Sequence, residues 1–238
     1  MNNKQWILSK RPVKKLSSNN FEFVESEVEV IKDGEFLVKN LFLSFDPAQY
    51  DWMQETESYV EPVKIGEVMR AVSVAQVIES KHDKFKNGDI LQGSFGWQEY
   101  AVSDGKSGYM RPFRIPRDVP ITAPLGILGN TGLTAYFGLI KVGKPKQGDV
   151  VLVSGAAGST GSAVGQIAKI MGCRVIGTAG GSEKCRWLTR ELGFDAAIDY
   201  KSEDLNSALK KLCPDGVNVV FDNVGGEFLS ESLLHIAE

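Results

Sequence analysis

The chain has 238 residues, 42% hydrophobic and 24% charged, enough apolar material for one large or two ordinary packed domains and too much for disorder. Its formal net charge of −3 gives no reason to expect a nucleic acid or a polybasic membrane contact. No apolar run approaches the ~18 residues of a membrane helix. Met1–Arg11 is polar and mixed, without the apolar stretch of a secretory signal, so a cytoplasmic protein is expected.

The first half reads as β. In Phe23–Val30, Glu25, Glu27 and Glu29 alternate with Val24, Val28 and Val30, which predicts a strand with one wet face. Asp33-Gly34 signals a turn into the extended run Glu35–Phe45, and Asp46-Pro47 breaks it. Ala71–Ser80 is another strand, and Asn87-Gly88-Asp89 a hairpin signal into Ile90–Ser103. Short strands at this spacing predict a compact β-barrel or sandwich from about Trp6 to Ile115.

The second half changes character: fourteen of the 25 glycines lie between Gly126 and Gly181, concentrating backbone freedom at a few tight connections. Val150–Val153 is a continuous apolar strand, and Ala163, Val164, Ile167, Ala168 and Met171 recur at helical spacing up to Gly172. Arg174–Thr178, Ala196–Asp199 and Val217–Asn223 read as further strands. Helices are expected from Ser182, as a cap, to Leu192, from Glu203 to Leu212, and from Glu227 to Ala237. Apolar strands alternating with amphipathic helices imply a parallel sheet covered on both faces. Four strands are legible where a doubly wound dinucleotide domain has about six, so the sheet is expected to be incomplete. The domains are placed at 1–122 and 123–238.

The cysteines, 173, 185 and 213, are odd in number and form no C-x-x-C, and His82 and His235 have no partner at ligand spacing. Neither a disulfide framework, a metal site nor Cys–His catalysis is expected, and no catalytic side chain is nominated.

Between the strand ending at Val153 and its helix lies Gly155, Gly158 and Gly161, spaced G-x-x-G-x-x-G instead of the usual G-x-G-x-x-G. A sharp strand-to-helix turn leaves backbone N–H groups free at the helix start, where the helix dipole also favours a phosphate. Gly158 is expected to permit close approach, Gly161 to pack the first turn against the strand, and Gly165 to continue that flat face. Ser159 and Thr160 add hydroxyl donors. A tight turn holding no ligand is the competing reading. An NAD site places Asp or Glu at the end of the second strand; here that end is Gly177-Thr178-Ala179-Gly180-Gly181, followed by Lys184. A missing acid and a nearby cation suit a 2′-phosphate, hence NADP(H), although Lys184 also reads as a solvated helix lysine.

The stretches LSFDP, YVEPVKIGEVMRA, GWQEYAV, LGILGNTGLTAYFGL, Val153–Cys185, LGFDAAIDYK and PDGVNVVFDNVGGE together resemble the zinc-independent branch of the medium-chain dehydrogenase/reductase superfamily. Within it they are most similar to the leukotriene B4 12-hydroxydehydrogenase, prostaglandin reductase and curcumin reductase group. The resemblance implies an α/β protein with a GroES-like β-barrel, then a Rossmann domain, and an active site in the cleft between them. It implies NADPH-dependent reduction of the C=C bond of α,β-unsaturated ketones and aldehydes. Carried over by residue, Gly158, Ser159, Thr160 and Gly161 hold the pyrophosphate, and Lys184 and Tyr200 the 2′-phosphate. Asn223 sits beside the cofactor and Thr134 near the nicotinamide. From the residues alone, Tyr200 is a loop aromatic and Asn223 a strand-end turn residue.

Three departures qualify the resemblance. The family's Asp-Pro-x-Met-Arg is Asp46-Pro47-Ala48-Gln49-Tyr50 here, without the arginine, and its Gly-Met-Pro-Gly is Gly129-Asn130-Thr131-Gly132. The family also continues well beyond Glu238, through its last strands and most of its homodimer contacts. A quinone reductase of the related branch and an inert nucleotide-binding relic are the alternative functions.

Overall fold

The computed structural model describes residues 1–56 and 60–238. Tyr59, which opens one of the stretches quoted above, lies outside the described residues. The chain forms two compact units, Met1–Leu125 and Gly126–Glu238.

In the first unit, β1 (Asn2–Leu8) and β2 (Phe21–Glu27) form an antiparallel ribbon, with Asn2 opposite Glu27 and Leu8 opposite Phe21. Then follow β3 (Phe36–Leu43), a short helix α1 (Ala48–Trp52), β4 (Val72–Ser80), β5 (Ile90–Ser94), β6 (Tyr100–Ser103) and β7 (Phe113–Arg114). These five strands make one antiparallel sheet in the order β6-β3-β4-β5-β7. The hairpin between β4 and β5 turns at Gly88, whose φ of 88° is the left-handed conformation its signal required. The strand expected over Phe23–Val30 stops at Glu27. The three glutamates are exposed as read, but Val30 is 85% exposed as well, because the alternation outlasts the partner strand.

Phe36, Val38, Ala75, Val77, Leu91 and Ala101 form the core on one face of this sheet. Each fully buried large side chain contributes roughly 1.5–3 kcal/mol. A second cluster gathers Leu8, Trp52, Met53, Val63 and Met69 around α1.

The second unit begins with α2 (Asn130–Tyr136), which runs into a π-helical turn over Phe137–Gly143. Four strand–helix units follow: β8 (Val150–Val153) and α3 (Ser159–Ile170), β9 (Arg174–Ala179) and α4 (Ser182–Arg190), β10 (Ala196–Asp199) and α5 (Leu205–Leu212), β11 (Val219–Phe221) and α6 (Gly226–Leu233). The strands are parallel in the order β10-β9-β8-β11. Alternation along β8 and β9 divides the core: Val151, Val153 and Val175 pack with Ala163, Val164 and Ala168 of α3 on one face. Leu152 and Ile176 pack with Ile198, Leu209 and Val217 on the other. A strand buried on both faces must be apolar at every position, which is why Val150–Val153 carries no polar residue.

Several helix ends differ from expectation, and α4 stops at Arg190 instead of Leu192. Ser182 does not cap α4 but is its first residue; the preceding Gly181 takes φ 100°, and its N–H donates to Asp199 Oδ1 at 2.8 Å. Helix α5 starts at Leu205 instead of Glu203, because Asp204 is the cap and accepts from the Ser207 amide at 2.8 Å. The last helix ends at Leu233 instead of Ala237. Gly172, with φ 80°, follows the end of α3 as read.

Candidate functional site

The chain moves outward from β8 on both sides of the sheet, to β9 and to β11. The carboxyl ends of β8 and β11 therefore flank the topological switch point, where open α/β sheets bind ligands. Three features meet there.

The first is the glycine loop. Gly155 takes φ 53°, a left-handed conformation that disfavours a side chain. The Gly158 N–H donates to the Gly155 carbonyl at 2.8 Å, so Gly158 caps α3 and its amide is used inside the turn. The donors left for a ligand are the amides of Ser159, Thr160 and Gly161, the first three residues of a twelve-residue helix, which have no acceptor within it. A Cβ at Gly161 would stand 2.5 Å from the Gly155 oxygen and 2.7 Å from the Ala156 Cα. Gly161 thus packs α3 against the loop itself, not the strand. A Cβ at Gly158 would meet only the Gly155 oxygen, at 3.1 Å. Gly165 does not face the strand either: the ring of Phe194 fills the place of its missing side chain and also lies against Gly177 of β9.

The second feature joins the two strand ends. Ser154 Oγ donates to Asp222 Oδ1 at 2.7 Å and accepts from the Asn223 amide at 2.6 Å. Asn223 Nδ2 donates to the Ser154 carbonyl at 2.8 Å, fixing its side chain at the end of β8. Asp222 also accepts from the amides of Val224 and Gly225, each at 2.9 Å. Burial alone would raise the Asp222 carboxyl; the Ser154 hydroxyl and these amides outweigh it and hold the group below its ordinary value.

The third feature is the end of β9. Asp199, at the end of β10, commits Oδ1 to the amides of Gly181 and Lys201, at 2.8 and 3.1 Å, and these bonds lower its pKa. The ring of Tyr200 covers Gly180, where a Cβ would stand 2.7 Å from the phenolic oxygen. Lys184 is exposed in the first turn of α4 and forms no ion pair among the described residues. A cavity of about 580 Å³ opens at these strand ends, lined by Ser154, Thr178, Tyr200 and Phe228 and by the acids Glu203, Asp204 and Glu227.

Gly158, Ser159, Thr160, Gly161 and Asn223 are therefore gathered at the ends of β8 and β11, and Tyr200 and Lys184 at the far side of β9. Thr134 is exposed on α2, a helix that packs against α3; its side chain makes no hydrogen bond among the described residues. Ser154 and Asp222 were missed in the sequence. Their only signal is a polar residue directly following each of two apolar strands.

The thiols of Cys173, Cys185 and Cys213 are all raised in pKa by burial, with Asp199 and Glu203 adding to the effect at Cys185. Among the described residues no three His, Cys, Asp or Glu side chains gather as a metal site, and no helix is long and apolar enough to cross a membrane. The two stretches that depart from the family pattern are well formed. Gln49 Nε2 donates to the carbonyls of Ser44 and Arg70, at 2.9 and 3.4 Å, and Ser44 Oγ to Asp46 at 2.7 Å. At Gly132 a side chain would overlap the Ile127 carbonyl.

A parallel sheet with a glycine loop at its switch point, preceded by a β-rich unit, is the architecture of dinucleotide-dependent oxidoreductases. The family model described as "N-terminal domain of oxidoreductase" matches residues 4–110, and that described as "Zinc-binding dehydrogenase" matches 159–238. The chain is 42% identical to prostaglandin reductase 1 of Mus musculus, over 98% of its own length and 69% of that protein. It is 40% identical to the NADPH-dependent curcumin reductase of Escherichia coli, over 94% and 64%. The solved structure of CurA from Vibrio vulnificus in complex with NADPH superposes with a TM-score of 0.90 at 40% identity, covering 98% of this chain and 68% of that one. The chain belongs to the zinc-independent medium-chain dehydrogenase/reductase family, in its curcumin reductase and prostaglandin reductase-like group. It spans about two thirds of the length of the curated relatives it matches.

Proposed function

We propose that this protein binds NADPH and reduces the C=C bond of small α,β-unsaturated ketones and aldehydes in the cytoplasm. The observation that carries the cofactor assignment is the β9 end, which bears no carboxylate of its own, is followed by the exposed Lys184 in the first turn of α4, and has Tyr200 over Gly180. A 2′-phosphate suits that pair, a point charge and a phenol. The amides of Ser159, Thr160 and Gly161, aided by the dipole of α3, suit a pyrophosphate. Asn223, fixed by the Ser154 carbonyl, stands at the strand end where the ring system of a dinucleotide passes. Thr134 is assigned to the nicotinamide side.

When bound, the cofactor supplies hydride to the β-carbon of the conjugated system. The chain's part is to hold its partners in register, exclude water, and present hydrogen-bond donors where charge develops on the carbonyl oxygen. Such a reaction requires no nucleophilic triad, which agrees with thiols held protonated by burial. Relatives named for curcumin, prostaglandin and 2-alkenal reduction support the substrate class, each for its own substrate.

The test is NADPH oxidation, followed by loss of reduced-nicotinamide absorbance, with a simple enone, an enal and a quinone. The complete gene product is expected to oxidise NADPH far faster with the enone or enal. Failure to turn over either overturns the substrate assignment, and faster quinone turnover replaces it with quinone reduction. NADPH binding without any turnover would mark a nucleotide-binding relic.

A further inference from the structure

Arg70 stands two residues before β4, in the first unit, and is held from two sides. Its guanidinium lies over the Trp52 ring, 5.4 Å from the centroid, and its carbonyl accepts from Gln49. Both partners belong to α1, the segment that departs from the family pattern. Trp52 is only 2% exposed and also packs against Tyr109, ring centroids 5.0 Å apart. The guanidinium is thus positioned by an aromatic platform rather than by a carboxylate. None of the ion pairs among the described residues includes it, and Nη1 is out of water without a hydrogen bond.

Arg70 as a whole is half-buried, but a guanidinium nitrogen shut off from water is ordinarily hydrogen-bonded, because its desolvation cost is otherwise uncompensated. Arg70 also lines a cavity of about 240 Å³ with Val63, Ser94, Phe95 and Tyr109. Glu67 is on the same cavity, but it is exposed and its Oε2 accepts from the Lys64 amide at 3.0 Å. An unmatched planar cation beside an aromatic platform, in a cavity whose walls mix Val63, Phe95 and Tyr109 with Ser94 and Gln98, fits an organic carboxylate with a short stem.

We propose that Arg70 anchors the carboxylate of a small organic acid. This binding does not depend on the reductase reading. Levulinate and its methyl ester, titrated against intrinsic tryptophan fluorescence, test it.

The acid is expected to bind about tenfold or more tighter than its ester. Arg70→Met should abolish this preference while leaving ester binding as it was. Its melting temperature should hold or rise, since an unpaired charge is removed. Arg70→Lys should retain part of the preference. Equal binding of acid and ester by the natural protein, or a preference that survives Arg70→Met, overturns the proposal. So does inorganic phosphate displacing levulinate more effectively than levulinate itself binds.

Discussion

The hydroxyl of Ser154 donates to Asp222 Oδ1 at 2.7 Å and accepts the Asn223 amide at 2.6 Å, so one side chain fastens the end of β8 to the end of β11. Asp222→Asn keeps one acceptor for Ser154 and Val224 but turns a donor toward the Gly225 amide at the Oδ2 position, and should cost about 1–3 kcal/mol in urea unfolding. The folded-state pKa of Asp222 lies below its ordinary 3.8. Its stabilising contribution is therefore complete above the ordinary carboxylate range and is lost as pH falls through the depressed value. Asp222→Asn should flatten that acid limb of the stability curve.

Gly161 and Gly158 should respond unequally to alanine. The Gly161→Ala methyl meets backbone at 2.5 and 2.7 Å, so the loop must move. NADPH affinity, by fluorescence titration, should fall about tenfold or more, with a lowered melting temperature. Gly158→Ala, with one contact at 3.1 Å and an ordinary φ of −83°, should keep its fold and lose less affinity. The opposite order would return the close approach to Gly158.

Lys184→Ala should raise KM for NADPH about tenfold or more and leave KM for NADH unchanged. Added salt should weaken NADPH binding to the natural protein more than to the variant. An equal effect on both cofactors would mean that Lys184 does not meet the 2′-phosphate.

Gly165 and Phe194 should be coupled. Gly165→Ala forces a methyl into the Phe194 ring and should destabilise by about 1–3 kcal/mol. Phe194→Leu in that background should recover part of the loss, although it is destabilising by itself. A double-mutant cycle in urea measures the term, and additivity would show that the ring relaxes freely.

The thiols should resist iodoacetamide at neutral pH, since burial raises all three pKa values and leaves little thiolate. Mass spectrometry should find the folded protein unmodified and the unfolded chain carrying label on Cys173, Cys185 and Cys213. Rapid native labelling of Cys185 would show that its helix opens readily.

What the sequence disclosed was local. A continuous apolar strand, small residues across a sharp turn and helical spacing after it lie within Val150–Gly172, and the structure follows them closely. The use of each glycine was less legible, because it depends on distant partners: Phe194 sets the need at Gly165, and the Gly155 carbonyl sets it at Gly161. Ser154 and Asp222 are 68 residues apart and meet only once the sheet has formed. The Ser182 cap failed for the same reason: Asp199, from the next strand, satisfies the Gly181 amide and sets where α4 starts. Likewise Arg70 is an ordinary charged residue in the sequence, and only the Trp52 platform reveals an unpaired cation.

Tyr200 lies where any side chain at Gly180 would have to go, with its phenolic oxygen 2.7 Å from that Cβ. An acid introduced at position 180 to court a ribose hydroxyl would collide with the phenol before it reached a ligand. Removing the phenol first would forfeit the phosphate contact proposed for it, with nothing in exchange. Under that assignment, a lineage drifting from one coenzyme to the other would have to alter two positions twenty residues apart in sequence. Coenzyme choice would then be an epistatic trait, guarded by packing as much as by charge.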